Sequence, residues 1–119
     1  MSDYVILTNN PSVAAAYPEI SRFIEGGVAD IFVAVRDAVH KGGQIISHPL
    51  SGSIKPNETP YKSVVISTDT GSLDFKSLQI IEDAISVLRR LPDKQRSYDA
   101  SMLEDFRIID LDHVSSAFR

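Results

Sequence analysis

Apolar positions in this chain fall into two stretches of helical period set among shorter apolar runs. Val28, Ile31, Phe32, Val35, Ala38 and Val39 recur at spacings of three and four, while Asp30, Arg36, Asp37 and Lys41 fall mostly on the other face. That spacing predicts an amphipathic helix. Gly42 and Gly43 end it, and His40 and Lys41 place positive charge in its last turn, where the helix dipole favours it. A second helix is predicted from the inward stripe Leu78, Ile81, Ala84, Ile85 and Leu88, with Lys76, Glu82, Asp83, Arg89 and Arg90 facing outward. Asp74 is placed to cap it, and Pro92 closes it.

The shorter runs read as strands. Val5-Ile6-Leu7 leads into Thr8-Asn9-Asn10-Pro11, a strand followed by a helix start, since Asn is a favoured cap and Pro a favoured first helical residue. The helix through Val13 to Ala16 must be short, because Pro18 biases Tyr17 away from helical geometry. A short strand is expected within Ile20 to Glu25, another at Ile45-Ile46, and a buried, central one at "SVVIS", Ser63 to Ser67. Residues 93 to 101, "DKQRSYDAS", read as an exposed connection. The tail is apolar again at Met102, Leu103, Phe106, Ile108, Ile109 and Leu111, in a period that does not separate helix from strand, and Asp112 is placed to cap a last turn or two through Val114 and Phe118.

Strands alternating with amphipathic helices predict an α/β fold, residues 1–119 forming a single layered domain with a mostly parallel sheet of three to five strands flanked by helices. Ligands of such sheets gather beyond the carboxyl ends of the strands. If the first strand and Ile45-Ile46 run parallel, the Thr8 to Pro11 turn and the loop opened by His48 share one edge.

Composition narrows the function. A formal net charge of −4 over 119 residues argues against binding nucleic acid or an anionic membrane, which depends on clustered Lys and Arg. The absence of cysteine excludes a disulfide framework, a thiolate metal site and thiol chemistry on this chain. The start, "MSDYVILTNN", lacks the pattern of a signal peptide, and no apolar run approaches about 18 residues, so a cytoplasmic protein is expected. His40, His48 and His113 show no metal-ligand spacing, and no pattern calls for a cofactor.

The segment from 48 to 62, "HPLSGSIKPNETPYK", is too long for an ordinary turn. Pro49, Pro56 and Pro60 fix their own φ and push His48, Lys55 and Thr59 toward extended geometry, so the loop is expected to be stiff. Its donors suit a small anion, carboxylate or phosphate: the hydroxyls of Ser51, Ser53, Thr59 and Tyr61, the ammonium groups of Lys55 and Lys62, the Asn57 amide, and main-chain amides around Gly52. The plainer reading has the lysines solvated, Glu58 pairing with one of them and the serines satisfying turns. His48 is a candidate general acid or base, with an unperturbed pKa of about 6.5, or a local hydrogen-bonding residue that orders the loop. Thr8, Asn9 and Asn10 join the ligand-binding candidates, with helix capping as the alternative role for the asparagines. His40 and His113 are weaker candidates, at a helix end and near the terminus.

Over most of its length the chain resembles the GrdX family, small bacterial proteins encoded alongside the glycine, sarcosine or betaine reductase systems of anaerobic amino-acid fermenters. The residues that carry the resemblance are "TNNP" at 8 to 11, "VRDAVHKGG" at 35 to 43 and "HPLSGSIKPNETPYKSVVIS" at 48 to 67. It implies an accessory role and assigns no catalytic residues. "VILTNNP" also looks like the first strand and turn of the inosine-triphosphate pyrophosphatase family. That motif continues with a phosphate-contacting Gly and Lys where this chain has Ser12 and Val13, and the chain is much too short for that fold.

Three functional readings follow. One is an accessory protein that binds a small anionic metabolite, or a reductase partner, through the 48 to 62 loop and the Thr8 to Pro11 turn. Another is a small enzyme acting on a phosphorylated or acyl compound, with His48 as acid or base and Lys55 or Lys62 stabilising negative charge. The third is an interaction module whose loop docks on a reductase subunit.

Overall fold

The computed structural model describes residues 3–52, 54–92 and 97–118. Within them the chain runs β1 (Tyr4–Thr8), α1 (Pro11–Ala16), β2 (Ser21–Phe23), α2 (Val28–His40), β3 (Ser63–Ser67), α3 (Phe75–Arg90) and α4 (Ala100–Ser116). The strands form one sheet in the order β2-β1-β3.

Strand β1 pairs with β2 in parallel, Ile6 opposite Ser21 and Thr8 opposite Phe23, and with β3 antiparallel, Tyr4 opposite Ser67 and Thr8 opposite Ser63. Side chains alternate across the sheet. Leu7, Val64 and Ile66 face a core filled by Val28, Ile31, Phe32, Val35 and Val39 of α2 and by Ile81, Ala84 and Ile85 of α3. Ile6 and Val65 face the other way, against Val13 of α1 and Val114 of α4. Helices therefore cover both faces, which is why β1 and β3 are runs of apolar residues without polar alternation.

Most expected elements form where the apolar pattern places them. Asn10 caps α1 by accepting from the Ser12 amide at 3.0 Å, and Pro11 is its first residue. Asp74 caps α3 by accepting from the Ser77 amide at 3.2 Å. The chain leaves α2 through Gly42 at φ +111°, where a Cβ would lie 2.6 Å from the Gly71 nitrogen, so both conformation and space require glycine there.

A mostly parallel sheet does not form: one strand pair is parallel and one antiparallel among the described residues. The 48–62 loop is the reason. Parallel neighbours need a crossover that carries the chain back to the opposite edge, usually a helix. Among its described residues this loop contains no helix, and it returns at the edge where it left, so β3 must run down the sheet, antiparallel to the segment before the loop. That segment, Gln44 to Ser47, makes a single antiparallel bridge, Ile45 to Ile66, and not a full strand. Ile46 and Ser47 donate their amides to the Val65 carbonyl at 2.9 and 3.2 Å, while the Ser47 hydroxyl accepts the Val65 amide at 2.8 Å. A side chain stands in for the next rung of the ladder. The strand expected to be central, β3, is one of the two outer strands of the three named, but the Gln44–Ser47 segment bridges to its other side and all five of its residues are buried.

The tail is one continuous helix, capped by Asp99, whose carboxylate accepts the Met102 amide at 2.8 Å. Asp112, expected to start a last turn, lies inside α4. Of the expected exposed connection, 93–96 fall outside the described residues, while Asp99 to Ser101 belong to the cap and first turn of α4. No helix of the described residues is long and apolar enough to cross a membrane.

Candidate functional site

The shared edge expected from the sequence is present. Because β3 is antiparallel to both β1 and the Gln44–Ser47 segment, that segment runs in the direction of β1. Thr8, His48 and Ser63 consequently lie at the same edge, the carboxyl end of β1 and the start of β3, and the 48–62 loop lies over it.

Two asparagines at the end of β1 fasten their surroundings, and one of them, Asn9, ties down the loop. Asn9 is 6% exposed; its amide donates to the carbonyls of Gly26 and Pro60, both at 2.9 Å, and its oxygen accepts the Lys62 amide at 2.8 Å. Asn10 is fully buried; besides capping α1, it donates to the Arg107 carbonyl and to Asp110 Oδ2, both at 3.0 Å. All the side-chain polar atoms of both residues have protein partners. Neither lines the cleft described below: Asn9 joins the loop to the β2–α2 connection, and Asn10 joins α1 to α4.

Thr8 begins a buried relay. The Asn10 amide donates to Thr8 Oγ1 at 2.9 Å, Thr8 and Ser63 hydroxyls meet at 2.6 Å, and Ser63 donates to Asp110 Oδ2 at 2.6 Å. Since the Ser63 proton goes to the carboxylate, Thr8 must donate to Ser63. The chain of donors thus ends on a charge, where each bond polarises the next. Asp110 is 8% exposed, and the relay holds α4 against the sheet edge.

Between the loop and α4 opens a cleft of about 190 Å³. Its loop wall includes Ser51, Gly52, Thr59, Tyr61 and Lys62, and its helix wall includes Phe106, Ile109, Asp110, Asp112 and His113. Lys62 is 8% exposed, and its ammonium donates to the Ser51 carbonyl at 3.3 Å. Loss of hydration pushes its pKa below the ordinary lysine value, partly opposed by the negative charge of Asp110. Across the cleft, Arg107 Nη1 donates to the Tyr61 hydroxyl at 3.1 Å and the guanidinium lies 5.8 Å from the ring centroid, within cation–π range. Thr59 Oγ1 accepts the Tyr61 amide at 3.2 Å and donates to the Tyr61 carbonyl at 3.1 Å, a local turn that sets the phenol's direction.

Ser51 and His113 form a pair at 2.7 Å between Oγ and Nε2, a spacing that suits a nucleophile and its base. The hydrogen bonds say otherwise. Ser51 has one hydroxyl proton and donates it to the His48 carbonyl at 2.7 Å. His113 Nε2 must then be the donor, so the imidazole braces the serine and does not deprotonate it.

The remaining candidates lie apart. His48 is exposed and outside the cleft; its Nδ1 accepts the Leu50 amide at 3.1 Å and its carbonyl accepts the Ser51 amide at 3.0 Å, so its bonds order the turn. Lys55 is exposed and lines a separate groove with Leu50, Pro56, Val87 and Leu91. Asn57 donates to the Pro92 carbonyl at 2.9 Å, beyond the end of α3, and its buried Oδ1 has no partner among the described residues. Ser53 lies outside the described residues. Among those residues no group of three or more His, Cys, Asp or Glu could hold a metal ion.

The helix wall is what sequence reasoning missed. The sequence pattern does not mark Asp110 or Arg107 as site residues, and it places His113 only near the terminus. One signal was present: Asp110 interrupts the apolar "IIDL" and lies four residues before Val114, the spacing of one helix face. No curated protein and no solved structure matches the chain. A family model, described as GrdX-like protein, matches residues 5–119, so nearly the whole chain, loop and cleft included, belongs to the GrdX-like family.

Proposed function

We propose that this chain is a cytoplasmic accessory protein of glycine-reductase-type amino-acid fermentation that binds a small carboxylic acid in the cleft between the 48–62 loop and α4. Family membership supports the setting, through the reductase systems alongside which such proteins are encoded. The observation that carries the ligand class is Lys62, a desolvated cation in the cleft wall whose ammonium has the Ser51 carbonyl as its hydrogen-bond partner. An anion there regains for the ammonium what burial removed. The Tyr61 hydroxyl accepts from Arg107 and keeps its own proton as a donor. A monoanionic carboxylate suits the cleft better than a phosphate dianion, because Asp110 and Asp112 line it too and like charges repel at this range.

Thermal-shift measurements with acetate, glycolate, glycine and inorganic phosphate test the reading. A carboxylate at about 100 times its Kd raises stability by about 2.7 kcal/mol. The shift is expected to exceed that of phosphate, to vanish in Lys62→Met and to persist in Lys55→Ala. Equal shifts with Lys62→Met and the native chain would exclude the cleft as the site. No stabiliser at all, with retention of the protein on a reductase component, would leave the interaction-module reading.

A further inference from the structure

We infer that Lys62 is a carbonyl-capturing amine, which forms an imine with a small aldehyde or 2-oxo acid entering the cleft between the 48–62 loop and α4. The inference deepens the small-acid reading of the same cleft by assigning covalent chemistry to its central residue.

Three features of the geometry lead there. Lys62 is held from both ends: its amide is fixed by Asn9 at 2.8 Å and its Nζ by the Ser51 carbonyl at 3.3 Å, so the long side chain is placed before any ligand arrives. A neutral amine keeps two protons and one lone pair, so donating one proton to the Ser51 carbonyl leaves the lone pair free to turn toward the cleft that Lys62 lines. The cleft, at about 190 Å³, has room for an aldehyde or 2-oxo acid of a few heavy atoms.

The surroundings supply proton transfer. Asp110, whose charge reaches Lys62, lines the facing helix wall, and His113 on that wall is bonded to Ser51. Burial that disfavours the ammonium raises the share of free amine, the form that attacks carbonyl carbon. In the reaction the nitrogen lone pair forms a C–N bond while the C=O π pair moves to oxygen. Oxygen takes up a proton and nitrogen gives one up, yielding a carbinolamine. Protonation of its hydroxyl and departure of water leave an iminium, and loss of the remaining N–H proton, which returns the one taken up, gives the C=N bond. One amine and one carbonyl become one imine and one water, with no oxidation or reduction. Lys41, Lys55 and Lys76 are exposed and are not part of this cleft.

Reductive trapping reads the imine directly. The full-length protein is incubated with glyoxylate or with acetaldehyde, cyanoborohydride is added, and the modified lysine is located by peptide mass mapping. Glyoxylate is expected to leave one carboxymethyl group, with labelling of Lys62 several-fold above that of Lys41, Lys55 or Lys76. Lys62→Arg keeps a cation that can donate to the Ser51 carbonyl and should lose this adduct while remaining folded by circular dichroism. Labelling of Lys62 no faster than that of the exposed lysines would overturn the inference, and because the native protein itself is mapped, a variant that misfolds does not obscure that result. Acetate, which has the carboxylate without a reactive carbonyl, separates the two readings. Stabilisation by acetate without trapping leaves carboxylate binding standing and removes the imine; selective trapping without stabilisation by acetate does the reverse.

Discussion

Replacing Asn9 by alanine removes three hydrogen bonds that join the end of β1 to the β2–α2 connection and to the loop. The buried Lys62 amide would lose its acceptor, at about 1–3 kcal/mol for an unsatisfied donor, and the two lost bonds to the partly buried Gly26 and Pro60 carbonyls are worth about 0.5–1.5 kcal/mol each. Water entering the space left by the amide recovers part of this, so a net loss of roughly 2–4 kcal/mol is expected, a large share of the stability of a small protein. Urea denaturation of the native and Asn9→Ala chains measures it, and the carboxylate-induced thermal shift should weaken alongside, because Lys62 loses its anchor.

Asn9→Asp sharpens the test. It keeps an acceptor for the Lys62 amide but turns an acceptor toward the Gly26 and Pro60 carbonyls, where a donor is needed. Its carboxyl should therefore hold its proton more tightly in the folded state than in the unfolded chain. A folded pKa raised above the unfolded one means stability that is present below the unfolded pKa and lost as pH rises through the folded pKa. The Asp variant should accordingly approach the native chain in acid and fall away toward neutral pH. A loss below about 0.5 kcal/mol in Asn9→Ala, within the range of an ordinary surface substitution, together with a pH-independent Asp variant, would refute the clamp.

Lys62 and the Ser51–His113 pair give two further tests. The folded pKa of Lys62 is lowered from 10.5, so between the folded value and 10.5 the unfolded state binds more protons and stability should rise with pH. Below that window Lys62 carries a constant penalty. Urea midpoints taken from neutral pH up to 10.5 should show this rise in the native chain and a flatter course in Lys62→Met; parallel curves would show that burial does not perturb this lysine. For the pair, nitrogen NMR should find the His113 proton on Nε2, donated to Ser51, and Ser51→Ala should cost about 1 kcal/mol with a change in the imidazole signals. A proton found on Nδ1 alone would restore the nucleophile-and-base reading.

How far the sequence could be read follows from where each element's partners lie. Helices α2 and α3 show their inward stripes because each packs one face on the sheet, so period alone reveals them. Helix α4 does not: Asp110 and Val114 are its buried residues while Ile108 and Ile109 are about half exposed, leaving no clean stripe to distinguish helix from strand. The direction of β3 was hidden for a different reason. Apolar β-branched residues mark a buried strand equally well in either direction, and only the return of the loop to its own edge decides between them.

The same division runs through the site. The chain's own order of residues determined the stiff 48–62 loop, its hydroxyls and lysines, the Asn10 cap and Pro11 start of α1, and the family to which it belongs, since proline geometry, capping and motif identity act between near neighbours. Tertiary structure decided which of those groups converge. It turned Asn9 and Asn10 into fasteners, left His48 and Lys55 outside the cleft, and brought Arg107, Asp110 and His113 onto Tyr61, Ser63 and Ser51 across separations of 46, 47 and 62 residues. Contacts at that range depend on how α4 packs across the sheet edge, and no local propensity records them.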